Sequence, residues 1–486
     1  MELDMAHNFS QTRQKMAAAF AKTPPVVGVA MSAFDRILPA MFYPKYKIVC
    51  FRGGRDLDLM DGLVEVESLE RDYRGRVACE KNTACFLNHG FASERLVKDK
   101  AAIMYVLRNN QVAEEWFSKN SLTTFSNRFK LQEELECKGN FLDVCKRLKI
   151  PIVPSVRIKV KELDRQSYTK IVGSLGPKLV FQMADVVTGG GHYTNFLFEE
   201  SNFEELSKRM KDDCLAKGSE WLKVSSFIDG ASICATACIT GGGVVLGTIR
   251  KQVIGVKELC LEGKLDGVYC GNQWGAVDER VGRRVDDVLT KLGSYLSERG
   301  YKGIFGVDLM VDKKGRALTI ECNPRYQGSS TLEGMMMEKA GLLSLDRFHF
   351  GEFLDVPTQR ETVWQLNQAT RETEFVGAQL ILKNVADGSV AVGGSLRAGV
   401  YKYDEGGKLN FSRPGWSYAQ LSLEDEILVT DGVPVRGQVI KKGQRVGRVL
   451  FKQTVLKRPG ELNDFSRGGV EEVYRMLGMR VIEEGQ

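Results

Sequence analysis

The chain has 486 residues, 43% of them apolar and 27% charged, with a formal charge of +6 at neutral pH. That length exceeds what one hydrophobic core covers and predicts about two to four domains. No run of about 18 apolar residues is present, which argues against a membrane-spanning helix. The basic residues are scattered rather than blocked, which argues against nucleic acid as a partner.

The first twenty residues, MELDMAHNFSQTRQKMAAAF, read as a polar-to-amphipathic helix without the hydrophobic core of a secretory leader. The eleven cysteines form no CxxC pair and mostly lie in apolar runs such as ASICATACI, so reduced, buried thiols of a cytoplasmic protein are expected. Four scattered histidines offer no ligand spacing for structural zinc. Over residues 1–95, VVGVAMSAF, KYKIVCF and VEVESL read as strands separated by helices, a small parallel α/β unit. The first strand lacks GxGxxG, which disfavours a dinucleotide.

Residues 96–155 read as mainly helical (VKDKAAIMYVLRN, GNFLDVCKRLKI) and close on PIVPS, whose prolines stop a helix and start an extended segment. Residues 156–330 read as strand-rich with two glycine clusters, and 331–357 return to helix through LEGMMMEKAGLLSLDRFHFGEFL. From 358 onward, short strands between Gly, Asp and Lys turns run to a last helix, GGVEEVYRMLG. The expected domains are therefore 1–95, 96–357 and a β-rich 358–486.

Three stretches carry chemistry. KLVFQMADVVTGGGHYTNF is an apolar strand leading into Gly189, Gly190 and Gly191, then Thr194. Such a loop lets backbone N–H groups approach phosphates, although a triple glycine is more often a flexible loop or bulge, and His192 more often a loop residue than a catalytic one. WLKVSSFIDGASICATACITGGGVVLGTIRKQ reads as a three-stranded meander that could wall a planar ligand. Arg250 and Lys251 at its end are candidates for an anion contact or ordinary surface charges. The third stretch is GIFGVDLMVD and RALTIECN around the turn DKKG. If Asp312 pairs with Gly315, Asp308 lies opposite Thr319 and diagonal to Glu321, with Asn323 on the same face. Two carboxylates and an amide suit a hard cation such as Mg²⁺; charges that merely face water are the alternative. Pro324 ends the strand and turns Arg325 toward whatever the cation holds.

In this order the stretches resemble the ATP-grasp superfamily over roughly residues 96–357, the most specific part being FGVDLMVD followed by ECNPR. Within it the chain looks most like the carboxylate–amine ligases of bacterial secondary metabolism, of the pheganomycin peptide ligase type, through LVFQ, QVIG, GVYCGNQW and NPRYQGSS. The resemblance implies an ATP-grasp fold of α/β (α+β) class, with a small parallel N-terminal domain and a β-rich C-terminal one. It implies ATP and one or two Mg²⁺ (or Mn²⁺) held by Asp308, Glu321 and Asn323, and triphosphate contacts from Lys100, Gly189, Gly190, Gly191 and Thr194. Catalytic roles fall to Arg325 and, toward the substrate carboxylate, Arg250. Gln182 stands where many members have lysine, with Lys178 as a substitute on the same strand face, and Ser226 stands where many have glutamate. The implied partners are amino acid or small peptide substrates, with a homodimer the usual assembly. An ATP-dependent carboxylase and a nucleotide-binding regulator without turnover are the alternatives.

Overall fold

A computed structural model describes residues 2–75, 82–187, 193–261 and 267–482, with side chains from residue 8 onward. Near the N-terminus, β1 (Val26–Ala30), β2 (Tyr46–Cys50), β3 (Glu65–Ser68), β4 (Ile103–Val106) and β5 (Thr123–Thr124) form a parallel sheet in the order β3-β2-β1-β4-β5. The apolar-run strands are buried, as a parallel sheet covered by helices requires. The sheet extends past residue 95: IMYV, expected as helix, is β4. A short apolar run fits either a buried strand or a helix, and pairing to β1 decides it.

Two sheets build the centre. One has four strands, β6 (Ser155–Lys159), β7 (Leu179–Met183), β8 (Asn195–Leu197) and β9 (Trp221–Ser226), in the order β6-β9-β7-β8. The other has ten strands and includes β10 (Gly230–Thr240), β11 (Gly243–Ile254), β12 (Tyr269–Trp274), β13 (Gly303–Asp312), β14 (Ala317–Asn323) and β15 (Gly377–Lys383). A three-stranded sheet, β16 (Val390–Val392) with β20 (Val439–Ile440) and β24 (Met479–Val481), lies in the C-terminal part. There β17 (Gly399–Tyr403), β18 (Leu409–Arg413), β19 (Glu426–Thr430) and β21 (Arg445–Phe451) complete the large sheet, and β22 (Leu456–Arg458) and β23 (Glu461–Leu462) make a hairpin. The large sheet runs β14-β13-β10-β11-β12-β15-β21-β19-β17-β18, so it crosses residue 357 without a break. The stretch expected as one meander is divided: β9 pairs with β6 and β7, whereas β10 and β11 pair in the large sheet. The chain passes between the two sheets at Phe227–Asp229, and that passage opens the central cavity.

The helix Glu279–Ser297 lies on the large sheet, burying Val281, Val285, Val288, Leu289, Leu292 and Leu296 at helical spacing. Its apolar stripe sits inside a segment expected to be strands. A second core centres on Phe350, whose ring meets Tyr105 and Phe125 at 4.9 Å and Tyr43 at 5.5 Å. It ties the N-terminal sheet to the central body, each such ring contributing about 1.5–3 kcal/mol by burial. Nine described cysteines are free and buried. Cys85 departs from the expectation of reduced thiols and is disulfide-bonded. No helix among the described residues is long and apolar enough to cross a membrane.

Candidate active site

A cavity of about 980 Å³ lies between the four-stranded sheet and the β10–β14 end of the large sheet. Its floor is the β13–β14 hairpin. Asp312 N–H donates to Arg316 O and Gly315 N–H to Asp312 O, so the turn is one residue longer than a pairing of Asp312 with Gly315 allows. A bulge then shifts the register again: Leu309 pairs with Thr319, but Asp308 pairs with Glu321. Asp308 and Glu321 are thus directly opposed rather than diagonal, and Thr319 falls on the other face. Gly306, opposite Asn323, leaves room for a neighbour: a Cβ there would come within 2.6 Å of the Gln327 amide.

Asn323 Nδ2 donates to Asp308 Oδ2 at 3.1 Å, and Gln252 Nε2 to Asp308 Oδ1 at 3.2 Å. Burial, with Glu321 opposite, raises the Asp308 pKa. Burial also acts to raise that of Glu321, but Lys138 and the hydrogen bond to Asp308 outweigh it and hold Glu321 below the usual carboxylate range. Without a cation, the opposed pair is therefore disfavoured with both carboxyls ionised. Arg325 Nη2 donates to Asn323 Oδ1 at 2.8 Å and its Nε to Glu136 Oε1 at 2.7 Å; Glu136 also pairs with Arg108 at 3.1 Å.

The chemistry of this set fits a divalent cation. A metal would relieve the repulsion between two opposed carboxylates, and Mg²⁺ commonly takes only one or two protein carboxylates, with phosphates and water completing its shell. Among the described residues, no group of three or more His, Cys, Asp or Glu side chains forms a metal cluster. Asn323 turns its NH₂ to Asp308 and its oxygen to Arg325, so ligation by its oxygen requires the amide reversed.

Gln182, Thr194 and Ser226 line the opposite wall. Gln182 Nε2 donates to Thr194 Oγ1 at 3.0 Å, and Ser226 Oγ to Leu175 O at 2.8 Å. Phe196, Phe198 and Phe227 add an apolar face, with Phe196 and Phe198 stacked at 5.9 Å and Phe227 edge-on to Phe198 at 5.0 Å.

Gly189, Gly190, Gly191 and His192 lie outside the described residues. Three other expected residues are away from the cavity wall. Lys100 is exposed in the turn before β4, and Lys178 is exposed just before β7. Arg250 points into the protein, with its side chain 0% exposed. It pairs with Glu333 at 3.4 Å and donates to Ser329 Oγ at 2.8 Å and Gln327 Oε1 at 2.5 Å. Alternation along β11 marks two faces but not how deeply each residue on a face is covered. Here Arg250 shares the face of Cys234, Gln252 and Asp308, but Ser329 and Gln327 cover its guanidinium, so Gln252 reaches the cavity and Arg250 lies beneath its wall.

Two cavity lysines were not anticipated. Lys138 opens the helix Lys138–Arg147 and pairs with Glu321 at 3.2 Å. Lys223 on β9 donates to Ile320 O at 2.9 Å, and burial and the nearby Lys138 lower its pKa to about 8. The signal for Lys138 is its place at the start of the helix that leads to PIVPS. Lys223 stands alone in an apolar strand.

Residues 187–329 match the family described as an ATP-grasp domain. The biotin carboxylase domain of Hydrogenobacter thermophilus 2-oxoglutarate carboxylase, crystallised with MgADP and bicarbonate, is similar over 88% of this chain and 86% of that chain, at 12% identity and TM-score 0.59. Campylobacter jejuni biotin carboxylase in complex with β-γ-ATP is similar over 88% of each chain, at 12% identity and TM-score 0.59. Phosphoribosylamine–glycine ligase of Thermotoga maritima covers 93% of this chain and 96% of its own, at 13% identity and TM-score 0.55. No curated protein sequence matches the chain. The chain has the ATP-grasp fold, and the segment matching the ATP-grasp domain family carries the cavity's carboxylate hairpin.

Proposed function

We propose that the protein is an ATP-dependent carboxylate–amine ligase, forming an amide through an acyl phosphate with release of ADP and phosphate. The observation that carries this reading is the direct opposition of Asp308 and Glu321 at the floor of a large cavity, with Arg325 and Lys138 beside them. The solved relatives crystallised with MgADP or an ATP complex support the nucleotide, and the glycine ligase supports amide formation.

In this reading Asp308 and Glu321, with Asn323 once its amide reverses, hold Mg²⁺, which when bound screens the phosphate charge. Phe196, Phe198 and Phe227 pack on the base, and Thr194 meets the phosphate chain. Gly189, Gly190 and Gly191 are proposed to cover it, excluding water from the intermediate. A substrate carboxylate oxygen attacks the γ-phosphorus and ADP leaves; the amine nitrogen then attacks the acyl carbon and phosphate leaves. Negative charge builds on oxygens in both steps, and Arg325, held by Glu136, is positioned to stabilise it. The wall of Gln252, Tyr269, Asn272 and Gln327, rather than the buried Arg250, takes the acid. Amino acids or small peptides of bacterial secondary metabolism, acted on in the cytoplasm by a homodimer, are the substrates and setting this implies.

Carboxylation is a second reading, favoured by the likeness to biotin carboxylases. Its first step differs only in using bicarbonate as the acid. Phosphate release from ATP, measured across amino acids and small peptides and with bicarbonate plus biotin, separates the two. An amide product mass supports ligation, turnover with bicarbonate and biotin alone supports carboxylation, and no release under any condition rejects both.

A further inference from the structure

Lys223 and Gln182 are direct cross-strand partners on β9 and β7, and both line the cavity. Lys223 is 1% exposed, and Ile320 O accepts its one hydrogen bond among the described residues. An ammonium has three donors, so most of its capacity is unmet. The charged groups nearest to it are Lys138 and Glu321, and Glu321 is already engaged by Lys138. Two buried ammonium groups therefore share one carboxylate at the cavity floor. A second cation without its own partner is unfavourable in a buried site unless an anion enters. Its strand partner cannot take that part: Gln182 carries no charge, and its amide already binds Thr194.

We propose that Lys223, beside Lys138, is the cation that binds the phosphate chain of the nucleotide, in place of the uncharged Gln182 across the strand pair. This rests on the reading of the cavity as a nucleotide site. The register makes the inference specific to the strand pair: a lysine at position 182 would project from the neighbouring strand at the same level.

The test is calorimetric binding of MgADP to the full chain, with melting curves to establish folding. Lys223→Met keeps the length and apolar stem, and is expected to fold and to bind MgADP at least tenfold more weakly. The double variant Lys223→Met/Gln182→Lys is expected to regain most of that loss, which a merely structural role would not allow. Lys223→Gln serves as the single variant if the methionine form does not fold. A single variant that binds as tightly as the parent overturns the proposal, as does a loss that Gln182→Lys fails to restore. A parent chain that binds no nucleotide overturns the nucleotide reading itself, and the two failures are thereby distinguished.

Discussion

Asp308 and Glu321 face each other across the β13–β14 hairpin because the register slips by one residue between Asp308 and Leu309. The opposition concentrates negative charge at one point of the cavity, and burial with Glu321 opposite raises the Asp308 pKa to about 8. Asp308→Asn should therefore remove ATP-dependent phosphate release, by a factor on the order of 10²–10³ or more. Its sign on stability is the opposite. A carboxyl whose pKa is raised on folding destabilises the fold once pH passes the usual carboxylate range, and an amide does not. The variant should melt at or above the parent's temperature near pH 7; a lower melting temperature would contradict the raised pKa.

Arg325 binds Asn323 and Glu136 but holds neither alone. Arg325→Ala should lower the maximal rate of phosphate release by about 10²-fold while changing the Kd for MgADP by less than about tenfold. Equal losses in both would mean that the arginine serves ground-state binding.

The acidic hairpin was legible because E-x-N-x-R after an apolar run puts polar side chains where a core strand would bury them. Its register was not, since a bulge leaves no mark in composition. The helix Glu279–Ser297 was legible in its valine and leucine spacing yet lost among strands. Lys138 and Lys223 escaped because a lone lysine on a helix or strand is normally surface charge, and only the packing of two sheets buries them. Lys100 shows the converse: its motif match lies in the exposed turn before β4, which begins three residues later in the parallel sheet.

Arg250 illustrates how much burial changes a reading. Its guanidinium is surrounded by Glu333, Ser329, Gln327 and Thr236. Arg250→Met should leave Glu333 as an uncompensated buried charge and destabilise the protein by about 3 kcal/mol or more. Adding Glu333→Gln should recover part of that loss. Denaturant unfolding of the three proteins tests this, and a single variant of parental stability with only a raised KM for the acid would return Arg250 to the substrate.

The cavity's aromatic face predicts a different kinetic signature. Phe198 is 40% exposed and stacks on Phe196. Phe198→Ala should raise the KM for ATP about three- to tenfold, since an aromatic pair beyond its area is worth about 0.5–1.5 kcal/mol. Turnover at saturating ATP should hardly change, because the ring touches no charge that develops in the reaction. A fall in kcat with unaltered KM would remove the base from this wall.

The last relationship is structural and reads out in pH. His349 Nδ1 accepts from Ile304 N–H at 3.2 Å, and its Nε2 lies 3.2 Å from Phe125 O, so the ring joins β13 to the segment after β5. Burial holds its pKa down to about 3. The unfolded chain, with an ordinary imidazole near 6.5, binds a proton that the folded chain refuses. The stability this neutral ring contributes is fully present above about pH 6.5 and is lost progressively as pH falls toward 3. Between pH 7 and pH 5 the loss is about 2 kcal/mol. His349→Gln offers an amide acceptor and donor but does not titrate, so its unfolding free energy should fall by about 2 kcal/mol less over the same interval. Urea unfolding of both proteins at pH 5, 6 and 7 measures the difference, and parallel slopes would mean that the ring is protonated in the fold and that solvent reaches it.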